Sequence, residues 1–401
     1  MRHHPFNRNF RKHIPGNRFS GGRFSRGKGR NIKSSVHASQ YVNKSQILDN
    51  KKAVEITHKF VDFAIDPRLK QNILNHGYTI PTPIQDQAIQ PILDGRDVVG
   101  IANTGTGKTA AFLIPLINKI LLNRNEKVLI IIPTRELAVQ IKADLDAFSK
   151  SLQISSALCI GGSNIMMQIR QIQGNAHFTI GTPGRLKDLI NRRVLNLSNY
   201  KNIVLDEVDR MVDIGFIKDI KFIISHLPRV RQSLFFSATV SQEINGIIQT
   251  FLTNPITISV KVYETAKNID QDIVRVTDNN DKVFKLQSML KNRGEFKKVL
   301  VFGRTKHGVE KLSKLLLLNG FSAASIHGNK SQNQRLRALN DFKQNLLQVL
   351  VATDVAARGL DIENVSHVIN FDEPTSYNDY IHRIGRTGRA DKMGKALTFV
   401  S

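Results

Sequence analysis

Short runs of β-branched and aliphatic residues alternate with helix-like patterns from residue 51 to the end of this 401-residue chain. Strands separated by helices are typical of βαβ units, in which a parallel sheet is covered by helices on both faces. Because a chain of this length holds two or three folded units, the pattern predicts an α/β fold with two doubly wound domains. The predicted strands are Val98–Ile101, Val128–Ile132, Phe178–Ile180, Ile203–Leu205, Leu234–Phe236, Val299–Phe302, Ala323–Ile326, Val349–Val351, Val368–Asn370 and Ala396–Val400.

One stretch interrupts this alternation. Residues Lys261–Asp270 have little apolar periodicity and follow the strand-like Ile256–Val260. We therefore expect a linker at residues 261–268, between a first domain at 51–260 and a second at 269–401. Open parallel sheets bind ligands at the carboxyl ends of their strands, so functional residues are sought just after each predicted strand.

The first 50 residues differ in composition from the rest. They contain eleven Lys and Arg and one acidic residue, Asp49, and the stretch from Arg18 to Arg30 nearly repeats an Arg-Phe-Ser pattern. Because such a composition cannot bury a core, residues 1–50 are predicted to be a disordered basic tail. Interleaved Arg, Gly and Phe favour RNA binding over a purely solubilising role, and an organellar transit peptide is a third interpretation.

The charge of the chain points to a polyanionic partner. The formal net charge is +25, of which the first 50 residues supply +10, so the folded part is basic in its own right. Nucleic acid is the first candidate and an anionic membrane surface the second. No apolar run is long enough for a transmembrane helix, and the single cysteine, Cys159, excludes an internal disulfide framework. The cytoplasm is the expected location.

A glycine-rich segment follows the strand Val98–Ile101. It reads Ala-Asn-Thr-Gly-Thr-Gly-Lys-Thr over residues 102–109 and leads into a helical pattern. The N–H groups of such a loop converge on phosphate oxygens, while Lys108 reaches the β- and γ-phosphates and Thr109 ligates Mg²⁺. The predicted phosphate-binding residues are Thr104, Gly105, Thr106, Gly107, Lys108 and Thr109.

Two adjacent carboxylates follow the strand Ile203–Leu205, at Asp206 and Glu207. Combined with an upstream phosphate-binding loop, such a pair is suited to hold Mg²⁺ through the aspartate and to polarise the attacking water through the glutamate. A helix cap is the alternative for an acidic strand end taken alone. The two motifs together predict a Mg²⁺-dependent nucleotide site.

The motifs and their order resemble those of the bacterial-type DEAD-box ATP-dependent RNA helicases of superfamily 2, over residues 60–401. The resemblance implies two tandem RecA-like domains of the P-loop NTPase helicase core, with ATP and Mg²⁺ as cofactors. Residues 77–85 resemble the family's Q motif, and Phe60 stands 17 residues before Gly77. By this resemblance Gln85 reads the adenine edge and Phe60 stacks on the base.

The resemblance also implies roles in catalysis and coupling. Arg386 and Arg389 match the family's arginine fingers, and Asp361 would contact the ribose of ATP. An arginine finger is worth about 10³–10⁵ in rate, so hydrolysis would depend on domain closure. The implied catalytic residues are Glu207, Asp206, Lys108, Arg386 and Arg389, and the implied coupling residues are Asp209, Ser237, Thr239 and His382.

Further segments resemble the parts of the family that grip the RNA backbone. They offer N–H groups, hydroxyls or guanidinium groups, which bind phosphate and sugar without reading sequence. Ordinary turn and helix-cap chemistry is the alternative for each segment taken alone. The implied RNA-binding residues are Pro133, Thr134, Arg135, Gly162, Thr182, Pro183, Gly184, Arg185, Arg304, Gly328, Gln332, Arg335 and Thr353.

The predicted function is an RNA-dependent ATPase and RNA helicase that closes its domains on single-stranded RNA and separates short duplexes or remodels RNA–protein complexes. RNA bound without sequence specificity is the expected partner, ribosome-assembly or RNA-decay proteins are further candidates, and a monomer is expected. A DNA-stimulated helicase and a non-enzymatic RNA chaperone acting through the tail are the alternatives.

Two features depart from the family pattern. Val208 replaces the family's Ala, a side chain without chemistry, so activity is still expected. The sequence stops just after the strand Ala396–Val400, where the family usually adds a covering helix. A minimal second domain or a fragment is therefore expected.

Overall fold

The computed structural model describes residues 41–42, 56–103, 105–260, 269–357, 362, 364–388 and 393–401. The predicted disordered tail, apart from Tyr41 and Val42, lies outside the described residues, as does the predicted linker at 261–268.

Helices and strands alternate along the described residues. Those of the first half are α1 (Pro67–Asn75), α2 (Pro83–Leu93), β1 (Val98–Ala102), α3 (Lys108–Leu122), β2 (Val128–Ile131), α4 (Arg135–Phe148), β3 (Ser156–Cys159), α5 (Ile165–Gln173), β4 (Phe178–Gly181), α6 (Pro183–Asn191), β5 (Asn202–Leu205), α7 (Val208–Asp213), α8 (Ile217–Ser225), β6 (Gln232–Ser237), α9 (Gln242–Phe251) and β7 (Ile256–Val260). Those of the second half are β8 (Ile269–Arg275), α10 (Asn279–Lys291), β9 (Val299–Phe302), α11 (Lys306–Leu318), β10 (Ala323–Ile326), α12 (Gln332–Lys343), β11 (Val349–Ala352), α13 (Asp354–Ala357), β12 (His367–Asn370), α14 (Tyr377–Ile384) and β13 (Gly394–Val400). No helix in this part of the chain combines the length and apolar character that crossing a membrane requires.

The strands form two parallel sheets. The strand order is β3-β4-β2-β5-β6-β1-β7 in the first and β10-β11-β9-β12-β13-β8 in the second. Every paired neighbour runs parallel. Each predicted strand coincides with an observed one to within two residues, and the structure adds β3 and β8, which the sequence pattern missed. The predicted fold class is confirmed.

Both sheets are buried on both faces. On β1, Val98 belongs to an apolar cluster that includes Phe112, whereas Val99 belongs to a separate cluster that includes Phe235. The strands of the second sheet divide their residues in the same way. Burial on two faces explains why the inner strands read as continuous apolar runs rather than as alternating ones.

The strand order of the first sheet sorts its loops into two groups. Adjacent strands β5, β6 and β1 end in the acidic motif, the coupling motif and the phosphate-binding loop. Adjacent strands β3, β4 and β2 end in the segments that were predicted to contact RNA. Because the carboxyl ends of parallel strands share one edge of the sheet, the predicted ATP and RNA segments lie side by side.

His367 is a buried histidine at the start of β12. The residue is 3% exposed, and its ring stacks on Phe296 with ring centres 4.1 Å apart. Within the described part of the chain its Nε2 atom has no hydrogen-bond partner, and the nearest carboxylate oxygen, from Glu295, is 3.9 Å away. Burial, together with the charge of Lys395, lowers the pKa of His367 from 6.5 to about 4 against the opposing charge of Glu295.

We expect His367 to reduce the free energy of unfolding in acid. Because its folded-state pKa lies below the unfolded-state value, the unfolded chain takes up the proton first, and stability is lost as the pH falls from 6.5 towards 4. Protonation of His367 should lower the free energy of unfolding by about 2 kcal/mol between pH 7 and pH 5. Denaturant titrations of wild type and His367→Gln at both pH values isolate this contribution. An equal pH dependence in the two proteins would contradict it.

Candidate functional site

The phosphate-binding loop leads from β1 into α3. Gly107 has a φ of +89°, and a Cβ atom there would lie 2.3 Å from Gln85 Nε2, so the position requires glycine. Gln85 Nε2 donates to the Gly107 carbonyl at 3.0 Å, and Gln85 Oε1 accepts from the backbone N–H of Thr82 at 2.9 Å. The Thr82 hydroxyl donates to the Thr106 carbonyl at 2.7 Å. The Q-motif segment therefore holds the loop in place.

Two residues that were predicted to contact adenine are buried in this structure. Gln85 is fully covered, and its amide is bonded to the loop and to Thr82. Phe60 is 1% exposed, with ring centres 6.3 Å from Phe63 and 6.0 Å from Tyr78. Adenine recognition by both residues stays a prediction.

Lys108 begins α3 and is buried beside the loop. Its ammonium group donates to the Ala102 carbonyl at 2.7 Å, which keeps the charge at the carboxyl end of β1. A phosphate entering the loop would meet this charge together with the positive end of the helix dipole. Thr104 lies outside the described residues.

Asp206 lies at the carboxyl end of β5 and is 3% exposed. Burial raises its pKa to about 6, against the opposing charge of Lys108 and with a further contribution from the carboxylates of Glu207 and Asp209. One of its oxygens accepts the backbone N–H of Glu207 at 2.9 Å. A cation that reached this carboxylate would therefore meet a strongly interacting ligand in a dry site.

These residues fit a Mg²⁺ ion that arrives with a nucleotide. Among the described residues, no group of three or more His, Cys, Asp or Glu side chains could hold a metal alone. Mg²⁺ usually takes one or two carboxylates and completes its shell with phosphate and water oxygens. The Asp206 carboxylate and the hydroxyl of Thr109 are oxygen donors of this kind.

Glu207 is held in a left-handed backbone conformation, with a φ of +52°. Such a conformation is uncommon for a residue with a side chain and is often found at functional positions. Arg210 Nη1 lies 3.3 Å from Glu207 Oε2, and Arg210 Nη2 donates to the Val355 carbonyl of the second half at 2.6 Å. One guanidinium group thus connects the acidic motif to the second half, a contact that the spacing of residues in the sequence does not reveal.

The coupling motif surrounds Asp209. One carboxylate oxygen of Asp209 accepts the N–H groups of Ala238 and Thr239 at 3.2 and 3.1 Å and the Thr239 hydroxyl at 3.3 Å. The backbone N–H of Asp209 donates to the Ser237 hydroxyl at 3.3 Å. The ends of β5 and β6 are therefore fixed to each other.

A cleft of about 370 Å³ opens beside this motif and receives residues from both halves. Asp209 and Thr239 line it from the first half, and Asp379 and His382 of α14 line it from the second. The structure thus brings three of the four predicted coupling residues to one cleft.

A second cleft, of about 400 Å³, contains most of the residues of the first half that were predicted to bind RNA. Gly162, which follows β3, has a φ of +77°, and a Cβ there would lie 2.3 Å from Arg135 Nη1, so the Arg135 guanidinium packs directly against this glycine turn. The lining residues that were predicted from the sequence are Pro133, Thr134, Arg135, Thr182, Gly184, Arg185 and Arg335.

Glu136 connects this cleft to the second half. Its carboxylate accepts Gln332 Nε2 at 3.2 Å and Arg335 Nη2 at 2.8 Å. The Glu136 side chain is 1% exposed and that of Arg335 is 10% exposed, so this ion pair is almost fully withdrawn from water. Gln332 and Arg335 were predicted from the sequence to bind RNA. Local spacing does not reveal their partner Glu136, which lies 196 and 199 residues before them.

We expect the Glu136–Arg335 pair to support the joined arrangement of the two halves. Removing one partner leaves the other charge buried and unpaired, which costs about 2–5 kcal/mol. Glu136→Gln and Arg335→Met should therefore each raise the RNA concentration that gives half-maximal ATP hydrolysis, by tenfold or more. The double variant should lose less than the two single effects together, since it leaves no unpaired charge.

The double variant also separates the two roles of Arg335. If Arg335 acts only on RNA phosphates, adding Glu136→Gln to Arg335→Met restores nothing. Hydrolysis rates measured against RNA concentration for the four proteins decide between these outcomes.

The remaining predicted RNA residues of the second half lie at the ends of adjacent strands. Arg304 follows β9, Gly328 follows β10 and Thr353 follows β11. The backbone N–H of Arg304 donates to Asp372 at 2.8 Å, and the Arg304 residue is exposed. These three positions therefore share one edge of the second sheet.

Arg383 in α14 and Arg386, which follows this helix, have different environments. Arg383 is 2% exposed, and its Nη2 atom lies 2.8 Å from Asp354 Oδ2, in a two-point contact with that carboxylate. Its charge is thus neutralised within the chain, and Arg383 orders the start of α13 against α14. Arg386 is also buried, with Nε donating to the His382 carbonyl at 3.2 Å. Asp361 and Arg389 lie outside the described residues.

Comparisons with known proteins match this architecture. The DEAD/DEAH box helicase family model matches residues 82–247, and that of the helicase conserved C-terminal domain matches residues 281–391. The DEAD-box ATP-dependent RNA helicase CshA of Bacillus licheniformis is 45% identical over 348 residues, which cover 86% of this chain and 71% of that relative. The chain belongs to the DEAD-box ATP-dependent RNA helicases.

Two solved structures resemble this helicase over both sheets. S. cerevisiae Dbp5 bound to RNA and ADP BeF3 is 29% identical with a TM-score of 0.75, over 86% of this chain and 90% of that one. Mss116p bound to ssRNA and AMP-PNP is 27% identical with a TM-score of 0.78, over 88% of this chain and 76% of that one. The enzyme class implied by the resemblance, an RNA-dependent ATPase and RNA helicase, is confirmed.

Proposed function

We propose that this helicase couples ATP binding and hydrolysis to closure of its two domains on single-stranded RNA, and that closure separates short duplexes or remodels RNA–protein complexes. The observation that carries the proposal is a pair of contacts between the halves. Arg210 binds the Val355 carbonyl beside the acidic motif, and Glu136 binds Arg335 beside the predicted RNA cleft. The first contact joins the halves beside the proposed ATP site, and the second joins them beside the proposed RNA site.

The joined arrangement of the halves supports this proposal. Mss116p bound to ssRNA and AMP-PNP aligns over 88% of the chain with a TM-score of 0.78, a match that includes both sheets. Since ATP segments and RNA segments occupy the same sheet edge, movement of the second domain towards that edge would complete both sites together. ATP and RNA would thus stabilise the same closed state.

In this mechanism the residues of the first domain bind and orient ATP. Lys108 and the loop N–H groups hold the β- and γ-phosphates, and Asp206 and Thr109 would hold Mg²⁺. When bound, Mg²⁺ supplies charge neutralisation at the phosphate oxygens. Glu207 accepts the proton of the attacking water as its oxygen bonds to the γ-phosphorus and the bond to the bridging oxygen breaks.

The second domain supplies further positive charge to the ATP site. Arg386 and Arg389 stabilise the negative charge that develops on the transferred phosphoryl group, so turnover requires closure. Hydrolysis breaks the bond between the γ-phosphate and the rest of the nucleotide, so the two domains no longer hold one intact molecule. The cleft then reopens and releases RNA.

Steady-state ATP hydrolysis without nucleic acid, with single-stranded RNA and with DNA of equal length tests the proposal, together with strand release from a short RNA duplex. We expect stimulation by RNA alone and ATP-dependent strand release. Equal stimulation by DNA would indicate the DNA-stimulated alternative. The chain lacking residues 1–38 should keep this activity, whereas a chaperone that acts through the tail would lose it. A cytoplasmic monomer, with ribosome-assembly or RNA-decay proteins as partners, completes the proposal.

A further inference from the structure

Tyr41 precedes the first domain in sequence, yet its side chain is buried in the second. The residue is fully covered, and its ring centre lies 4.8 Å from that of Tyr380, with the two rings tilted by 58°. It shares an apolar cluster with Ile269, Ile384 and Ala396. The adjacent Val42 is 45% exposed, so the aromatic ring of Tyr41 is the part that is inserted.

The socket for this ring is formed by β8, β13 and α14, at the edge of the second sheet. The Tyr380 hydroxyl donates to Gln271 Oε1 at 2.9 Å, which fixes the ring against which Tyr41 packs. Burial, with the charge of Glu373, raises the pKa of Tyr41 to about 12 against the opposing charge of Arg383, so its phenol stays neutral. Among the described residues the Tyr41 hydroxyl has no hydrogen-bond partner, so ring packing makes the contact.

The next described residue is Ile56, and from there the chain is bound to the first domain. The N–H and the hydroxyl of Thr57 donate to Asp86 Oδ2, each at 3.1 Å, and the N–H of His58 donates to Asp86 Oδ1 at 3.0 Å. Asp86 is a buried residue of α2. Residues 43–55 therefore join a residue packed in the second domain to one bonded to the first.

We propose that Tyr41 anchors the N-terminal segment to the second domain, so that residues 43–55 form a second covalent tether between the domains, in addition to the chain connection through residues 261–268. Thirteen residues reach at most about 45 Å when extended, so the tether permits opening but limits it. Two tethers restrict the relative rotation of the domains as well as their separation, because each tether limits the distance between a different pair of points on the two domains.

Energy transfer between two dyes tests this in the full-length chain. Leu122 and Leu318 are 79% and 85% exposed at the ends of α3 and α11, one in each half, and both can be replaced by cysteine. The native Cys159 is fully buried, and burial raises its thiol pKa to about 12, so it should not be labelled. Without ligands, Tyr41→Ala should shift transfer to lower efficiency and broaden its distribution. Tyr41→Phe should match wild type, because no described residue forms a hydrogen bond with the Tyr41 hydroxyl.

A second variant cuts the tether and leaves the socket intact. A specific protease site placed within residues 45–51 is cleaved after folding, and the cleaved chain should show the same loss of transfer as Tyr41→Ala. Unchanged transfer after complete cleavage would overturn the tether, even if Tyr41→Ala unfolds the second domain. Equal transfer in Tyr41→Ala and wild type, with both proteins unfolding cooperatively, would overturn the anchor. Neither readout depends on ATP hydrolysis.

Discussion

Glu207→Gln should lower RNA-stimulated ATP turnover by about 10²–10⁴-fold, the usual contribution of a general base. The substitution keeps the size of the side chain and removes only the capacity to accept the proton of the attacking water. Binding of ATP should persist, because the phosphate-binding loop and Asp206 are unchanged. Phosphate release at saturating single-stranded RNA, together with the affinity for ATP, measures the two effects separately.

A matched control for this substitution exists at Glu295. That residue is partly exposed beside Lys395, 2.7 Å away, and it precedes β9 at the amino ends of the second sheet, opposite the site. Glu295→Gln should leave turnover unchanged. Turnover of Glu207→Gln within threefold of the control would remove Glu207 from the proposed mechanism.

Arg386→Ala should cost about 10³–10⁵ in RNA-stimulated turnover, the range measured for arginine fingers, without weakening ATP binding to the first domain. Arg386→Lys should restore little, because an ammonium group lacks the planar fork of a guanidinium. Single-turnover hydrolysis with preformed ATP complexes checks the chemical step directly. Arg337 is a suitable control, since its side chain is 86% exposed on α12 and Arg337→Ala removes the same group from solvent. A loss below tenfold would exclude Arg386 as a finger.

Most of the sheet architecture is readable from the sequence, and the two strands that were missed have a common physical reason. Both β3 and β8 are edge strands, with one neighbour each. The edge strands β7 and β10 were predicted, so an edge position makes a strand harder to recognise without hiding it. An edge strand is not buried like an inner one, so its sequence need not be a continuous apolar run. In β8 the run Ile-Asp-Gln-Asp-Ile includes three polar residues, and a search for β-branched runs passes over it.

The motifs predicted which loops would meet, but not how their charges are balanced. Arg383 belongs to the arginine-rich segment that contains the predicted arginine fingers, and its anionic partner is Asp354, 29 residues earlier. Likewise, Arg335 finds Glu136 across the two halves. Such ion pairs form between residues that are distant in the sequence and that the fold brings together. The local spacing of residues therefore does not predict them.

The side-chain amide of Gln85 illustrates a different limit. Its donors and acceptors suit an adenine edge, and the same groups suit the carbonyl of Gly107 and the N–H of Thr82, to which they are bonded. Residue chemistry alone does not choose between two partners of the same hydrogen-bonding pattern.

Burial of the ion pair between Glu136 and Arg335 has a consequence for ionic strength. Contacts between exposed arginines and RNA phosphates weaken steeply as salt rises, because the counterions released on binding gain less free energy in a more concentrated salt solution. A pair whose side chains are 1% and 10% exposed is screened far less. Rising salt would therefore release RNA from this helicase well before it separated the two halves that Glu136 joins.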